Sequence, residues 1–346
     1  MTVRFASSDE ITHWNEYVLN NPDNGNILQG YEFAKQKKLG GWTPRFLFIE
    51  TLAVLVLEKS VFGLGVLWYI PKGPGITSSR YLDELLPSLI TFAKNHKVFS
   101  LKIEPELLKT DETVADFIKL GLVKVAPIQP NFSTVTLDIS DNLDIVMSHL
   151  NQKGRHAIKR AQRDGVTTQL VDATDENCQR MYNLLKLTAA GSFRIRSFTY
   201  YKTFWQRYAT ADLGQLFFAY VDGTVVAGAF AIAFGKKGTY KDGASVRERT
   251  VYGASHLLQW RIVEWMKARN VTIYDFCGTP PSDQINNPAH PYYGIGRFKT
   301  SFNKEVTDYV GAYDIVIKPS AYRIWTKIGE RIILRIHNYR YHENYY

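Results

Sequence analysis

Cysteine is nearly absent from this chain of 346 residues: only Cys178 and Cys277 occur. They make no CxxC pair and join no histidine cluster. A disulfide scaffold and a zinc finger are therefore excluded, and neither a metal nor a cofactor is expected. Long apolar runs are missing too. The longest, residues 225–234, is too short to cross a bilayer, and the opening segment lacks the apolar core of a secretory signal. These absences fit a reducing cytoplasm. No stretch sustains a charged heptad repeat, so a long coiled coil is not expected.

Aromatic residues, by contrast, make up 14% of the chain, and 45% of it is hydrophobic. Most of that serves cores, and 346 residues exceed what one core usually serves, so two domains are expected. Lysine and arginine number 42 against 33 acidic residues, a net charge of +9. This balance permits a polyanionic partner (RNA, a nucleotide or an anionic membrane) without selecting among them.

Short runs rich in Val, Phe and Tyr alternate with helical periodicity, the pattern of α/β or α+β domains with mixed sheets. In the first half, helices are expected over 31–39, 80–95 and 110–120, and strands over 46–57, 62–70, 98–103 and 133–139. In the second half a helical region over 176–208 precedes strands at 216–221 and 225–234, joined at the turn pair Asp222-Gly223. A helix over 253–269 and a strand over 271–276 follow. The shared order of helix, paired strands, long helix and strand predicts two copies of one fold, although the halves share no visible identity. Between them Lys153, Arg155, His156, Lys159, Arg160 and Arg163 crowd together. On a helix Arg155, Lys159 and Arg163 share a stripe opposite an apolar face of Ala157, Ile158 and Ala161. Such a stripe either holds phosphates or is a solvated face.

Six segments then recur in a fixed order. They are Gln29-Gly30-Tyr31-Glu32-Phe33-Ala34-Lys35-Gln36-Lys37 with Gly41-Trp42; Tyr69-Ile70-Pro71-Lys72-Gly73-Pro74; Leu101-Lys102-Ile103-Glu104-Pro105; the basic run 155–165; Tyr274-Asp275-Phe276-Cys277-Gly278 leading to Tyr293-Gly294-Ile295-Gly296-Arg297-Phe298-Lys299-Thr300-Ser301-Phe302; and Tyr309-Val310-Gly311 with Tyr313-Asp314. Together they resemble the Fem (FemABX-like) family of tRNA-dependent peptidoglycan-bridge aminoacyltransferases. The resemblance implies two acyltransferase-like (GNAT-like) domains separated by a substrate groove. Residues 1–145 with 318–346 would bind the precursor, and 146–317 the aminoacyl-tRNA end, with catalysis. The absence of heptads implies the compact form without a coiled-coil arm, in which the helical region 321–335 returns to the first domain.

The activity implied is transfer of an amino acid from aminoacyl-tRNA to the stem-peptide amine of a peptidoglycan precursor, either UDP-N-acetylmuramyl-pentapeptide or its lipid-linked form. The donated residue is left open among alanine, serine and glycine. The resemblance places the enzyme in the cytoplasm, at the inner face of the membrane where a peripheral contact is allowed, and as a monomer. An amine attacking an ester needs charge stabilisation on the carbonyl oxygen rather than a covalent intermediate. Lys299 is the cation expected there, with Phe298 beside it; if the segment is a strand, the two lie on opposite faces. Glu104 is the candidate proton acceptor, or else an orienting carboxylate, and Asp275 carries the same ambiguity. Lys37, four residues from Phe33, is aimed at a precursor phosphate. Trp42, Tyr69 and Tyr293 are candidates for the substrate wall, and Arg155, Lys159 and Arg163 for the RNA. The family's arginine ahead of a G-F pair is missing from residues 188–196, and Arg194 and Arg196 are its candidate replacements.

Two rivals stand beside this reading. A coenzyme-A-dependent N-acyltransferase needs a pyrophosphate cradle, and the nearest segment, Thr250-Val251-Tyr252-Gly253-Ala254-Ser255, lacks the leading Arg or Gln and has Ser255 in place of the final Gly or Ala. A non-catalytic RNA- or precursor-binding protein would have little use for Lys299 within an intact late motif. His156 and His290 have no partner at a spacing that suggests a base.

Overall fold

The computed structural model describes residues 1–129, 132–189, 194–246 and 252–341. The chain divides into two compact units, Met1–Phe132 with Tyr309–Tyr346, and Ser133–Asp308.

The first unit runs β1 (Val3–Phe5), α1 (Ser8–Thr12), α2 (Trp14–Leu19), α3 (Tyr31–Leu39), β2 (Thr43–Ile49), β3 (Leu52–Val61), β4 (Gly65–Ile70), α4 (Ser79–Asn95), β5 (Val98–Ile103), α5 (Asp111–Lys119) and β6 (Val123–Val125). The second comprises β7 (Ser133–Thr134), β8 (Thr136–Asp138), α6 (Leu143–His149), α7 (Gln152–Arg163), β9 (Thr167–Val171), α8 (Asp175–Ala189), α9 (Phe198–Thr210), β10 (Gly214–Val221), β11 (Thr224–Phe234), β12 (Lys237–Ser245), α10 (Ala254–Lys267), β13 (Ile273–Asp275), α11 (Tyr293–Lys299) and β14 (Thr307–Asp308). The chain then re-enters the first unit as β15 (Ala312–Val316), α12 (Pro319–Ile324), a π-helical turn at Trp325–Gly329 and α13 (Glu330–Tyr341).

The two sheets share one topology. The first is ordered β1-β2-β3-β4-β5-β15-β6 and the second β9-β10-β11-β12-β13-β8. In each, one pair is parallel, β4 with β5 and β12 with β13, and the other pairs are antiparallel. Each parallel pair is joined by a long helix, α4 or α10, because parallel neighbours need a crossover that a tight turn cannot make. Two copies of one mixed α/β fold were expected, and the matching order bears this out.

Alternation along the strands explains the layers. Trp68, Ile70, Leu101 and Ile103 pack with Leu82, Leu85, Leu86 and Leu89 of α4, whose three- and four-residue spacing makes one apolar stripe. Leu67 and Phe99 point to the other face, where Ala321 and Trp325 of the terminal helix cover them. In the second unit Ala157, Ile158 and Ala161 of α7 are buried, as the sequence pattern predicted, and Gly154 joins them. A Cβ at Gly154 would stand 2.2 Å from the Ser301 carbonyl oxygen, so only glycine allows this approach. Among the described residues of this unit no α-helix exceeds the 15 residues of α8, which leaves no coiled-coil arm.

Three expectations change. The strand expected over 46–57 is a hairpin, β2 and β3, turned at Glu50 with φ 52. The turn carries no Gly or Asn to announce it. The strand expected over 133–139 splits, Ser133–Thr134 pairing with β14 and Thr136–Asp138 with β13, so this segment lies in the second unit. The segment with Phe298 and Lys299 is helical, not a strand.

Candidate active site

In the second unit β12 and β13 run in parallel only as far as Thr239 and Asp275. β12 continues to Ser245, still paired with β11, while the other chain turns away at Cys277, whose φ is 59. The split opens a cavity of about 710 Å³ lined by Tyr240, Gly243, Ser245, Cys277, Phe298 and Lys299, among others. The carboxyl end of a parallel pair is where open α/β sheets take ligands.

A turn that leaves a sheet strands its carbonyls, and Lys299 satisfies them. Its ammonium, in a residue 7% exposed, donates to the carbonyl oxygens of Cys277 at 2.8 Å and Gly278 at 2.7 Å. Asp275 braces the same turn: its Oδ1 accepts the Cys277 N–H at 2.6 Å and the Thr134 hydroxyl. Asp275 therefore shapes the seat of Lys299. Burial pushes the Lys299 pKa down to about 8, opposed by the nearby Cys277 and Asp275. α11 is a short helix that packs closely; a Cβ on Gly296 would lie 2.8 Å from the Pro280 ring. Phe298, one residue before Lys299, meets His256 and Phe302 edge-on at ring distances of 4.9 and 5.5 Å. Tyr293, half-buried, lines the same cavity.

The start of α10 forms another wall. Gly253 has φ 89, and a Cβ there would meet the Ala157 carbonyl oxygen at 2.2 Å. Only glycine fits, and the first turn, Ala254 to His256, lines the cavity with no described side chain capping its N–H groups. Such a turn favours an anion. Thr250 and Val251, from the segment weighed as a coenzyme A cradle, lie outside the described residues.

The first unit repeats the device at the end of its own parallel pair, Ile70 beside Ile103. Glu104 follows at once and is buried. It accepts the Tyr69 hydroxyl at 2.9 Å and the Ile128 N–H at 2.5 Å. Burial pushes its pKa up; those hydrogen bonds and the charge of Lys72 oppose this. Lys72 is buried too, its ammonium 3.9 Å from Glu106 and 4.7 Å from the Tyr309 ring centre. Gln29 ties the first two motifs together: its amide accepts the Leu55 N–H at 2.7 Å and donates to the Pro71 carbonyl at 2.7 Å. Lys37 lies 5.4 Å from the Phe33 ring, and Lys59 lies 4.6 Å from the ring of Trp42. Trp42 and Tyr69 are themselves buried, with rings 6.1 Å apart, and back this cluster from inside. Lys37, Lys59 and Lys72 are thus buried in one unit along with Lys102, which is paired with Asp314 at 3.1 Å; burying several cations is an expensive arrangement suited to an anionic ligand.

The remaining expected residues are spread differently. Lys159 and Arg163 are exposed on α7. Arg155 is half-buried, and its guanidinium donates to the carbonyls of Ser148, at 2.7 Å, and Leu150, fastening α6 to α7. Lys153 reaches the cavity rim instead. Arg194 is exposed, and Arg196 lies 4.6 Å from the Tyr200 ring; residues 190–193 of that stretch lie outside the described ones. His156 is exposed. His256, which sequence reasoning passed over, lines the cavity and bonds Ser301 Oγ at 3.0 Å. Lys241 was missed as well. It pairs with Asp242 at 3.1 Å, and Asp242 also takes the Trp205 indole N–H at 2.9 Å.

Residues 121–224 and 219–329 match the FemAB family model, which spans more than half of the chain. The chain belongs to the FemAB family. The protein is a tRNA-dependent peptidoglycan aminoacyltransferase of the FemABX kind. Among curated proteins it is similar to the lipid II:glycine glycyltransferase of Staphylococcus aureus strain MRSA252, 22% identical over 401 residues, covering 91% of this chain and 94% of that protein. The corresponding protein of strain USA300 is 21% identical over the same length. Among solved structures, FemX superposes with a TM-score of 0.80 at 20% identity, covering 94% of this chain and 99% of that one. L-PGS from Bacillus licheniformis has the same general fold, with a TM-score of 0.53 at 13% identity over 94% and 98% of the two chains.

Proposed function

We propose that this FemAB-family enzyme transfers glycine from glycyl-tRNA to the stem-peptide amine of a lipid-linked muramyl peptide. The observation that carries the mechanism is the buried Lys299 ammonium in the second unit's cavity, held by two backbone carbonyls. Small residues on the walls, Gly243, Ala244 and Ser245, suit a small donated amino acid, and the name of the staphylococcal relatives supports glycine. Their acceptor likewise supports the lipid-linked precursor over the nucleotide-linked one.

In this reading the acceptor amine attacks the ester carbonyl carbon. The C–N bond forms, the bond to the ribose oxygen breaks, and a proton passes from the nitrogen to that oxygen. Two of the three Lys299 N–H donors are committed to Cys277 and Gly278, and the third serves the carbonyl oxygen and then the departing ribose oxygen. A pKa near 8 suits a group that lends a proton at neutral pH. Phe298 fixes the direction of α11, and Tyr293 contacts the aminoacyl end. The uncapped first turn of α10 receives a phosphate of the tRNA 3′ end. Lys153, Lys159 and Arg163 guide the RNA; Arg155 supports that helix from below. The first unit binds the precursor. Lys37, Lys59 and Lys72 meet its phosphates, Trp42 and Tyr69 stiffen that wall, and Glu104 orients the stem-peptide amine. Arg194 and Arg196 extend the precursor contact. The enzyme acts as a monomer in this reading. No described helix is long and apolar enough to cross a membrane, and the enzyme meets its acceptor from the cytoplasmic side as a peripheral protein.

Replacing Lys299 with Met keeps the length of the side chain and removes the charge. At saturating glycyl-tRNA, the single-turnover rate should fall about a hundredfold, the usual loss for one transition-state donor. An unchanged rate with a raised KM would make Lys299 a phosphate-binding residue and end this mechanism.

A further inference from the structure

The terminal helical segment buries Ala321 and Trp325 against the first unit's sheet and leaves another side bare. Ile324, Ile328 and Ile332 are 54%, 59% and 49% exposed. One position ahead of each stand Arg323, Lys327 and Arg331, and Arg335 continues that row; all four are exposed. No described acidic residue pairs with any of the four. In a regular α-helix, side chains four apart drift around the axis by about 40° per step. Here the turn at Trp325–Gly329 is π-helical and takes in an extra residue, which winds the drift back. The isoleucine row and the cationic row therefore stay side by side along the helix. Phe62, fully exposed, adds a large apolar group: its neighbour Leu64 reaches within 3.8 Å of where a Cβ on Gly329 would lie.

Three occupants could cover such a face, and they want different things. A second copy of the chain would bring cations against cations. RNA would use the cations and gain nothing from isoleucines, which neither stack on bases nor hydrogen-bond. An anionic phospholipid surface uses both rows, aliphatic side chains in the acyl boundary and cations among the headgroup phosphates. We propose that residues 319–335, with Phe62, form a membrane-surface helix selective for anionic phospholipid. This names the surface for the peripheral contact in the functional reading above; it rests on that reading only for its purpose, since its evidence is the helix itself.

The test is flotation of the full chain with vesicles that contain no precursor and no tRNA. One set is phosphatidylcholine alone, and the other carries about 30% phosphatidylglycerol at low salt. Two variants are compared, R323Q/K327Q/R331Q/R335Q and I324S/I328S/I332S; all seven side chains are exposed, so the fold should hold, as circular dichroism would verify. We expect the wild type to float with the anionic vesicles, and each variant to bind about tenfold more weakly or worse, while glycyl transfer to the lipid-linked precursor dispersed in detergent micelles is unchanged. Equal binding to both vesicle types, no flotation of the wild type, or full binding by either variant would overturn the proposal. So would loss of a dimer in the isoleucine variant, or loss of tRNA binding in the charge variant, with flotation intact. Absence of transfer together with normal flotation would instead refute the functional reading and leave the membrane helix standing.

Discussion

The burial of Lys299 makes a prediction that separates an electrostatic role from a basic one. The perturbation is Lys299→Met, and the quantity is the ratio of wild-type to variant single-turnover rates as a function of pH. Ionisation of the acceptor amine affects both proteins alike and cancels. What remains is the protonation of Lys299, with its pKa pushed down to about 8. If the ammonium stabilises the transition state, the ratio starts near a hundred at pH 7, halves by about pH 8, and then drops about tenfold per pH unit. Stability should move the opposite way. A lysine free in the unfolded chain titrates near 10.5, so between about 8 and 10.5 the folded protein binds fewer protons than the unfolded one, and the wild type gains stability over the variant as pH rises through that window. Falling activity alongside rising stability cannot come from unfolding. The rates are followed by rapid quench with labelled glycyl-tRNA between about pH 6.5 and 9.5, subtracting ester hydrolysis without enzyme, and stability by urea titration. A ratio that is flat, or that climbs towards pH 8 as a lysine base would require, would refute the reasoning.

Other consequences are more local. Replacing Lys153, Lys159 and Arg163 together with Gln should raise the KM for charged tRNA and flatten its salt dependence, because fewer counterions are released; an unchanged salt slope would put the RNA path elsewhere. Lys37→Met should weaken precursor binding at least about tenfold with little effect on tRNA, and equal affinity by calorimetry would remove Lys37 from the acceptor site. Tyr322→Phe removes a donor 3.0 Å from Asp314, itself paired with buried Lys102 at 3.1 Å. The loss should be about 1.5–3 kcal/mol and should lower the urea midpoint; an unmoved midpoint would show that the apolar contacts of Ala321 and Trp325 hold the terminal helix without this hydrogen bond.

Much of this was legible from residues alone, and the exceptions have physical causes. The helix over Tyr31–Leu39, the buried face of α7 and the repeated strand order follow from periodicity, which sees side chains. β12, with the sequence Lys-Gly-Thr-Tyr-Lys-Asp-Gly-Ala-Ser, has no apolar alternation; its pairing with β11 makes it a strand, so Tyr240 and Lys241 went unread. α11 contains two glycines and no strong helix former beyond its basic residues, and close packing at Gly296 allows it. Lys299 was singled out by its motif, but its partners are backbone carbonyls, which no residue type announces. Glu104 and Lys72 were each visible within motifs; their meeting beside Tyr309, far along the chain, belongs to the fold.

The most direct measurement combines the purified protein with a mixed pool of charged tRNAs and, in parallel, lipid-linked and nucleotide-linked muramyl pentapeptide, and reads the products by mass spectrometry. The account predicts that the lipid-linked precursor gains a glycyl residue on its stem-peptide amine, and that Lys299→Met nearly abolishes the gain. Acyl transfer from acetyl-coenzyme A with none from any charged tRNA would contradict it.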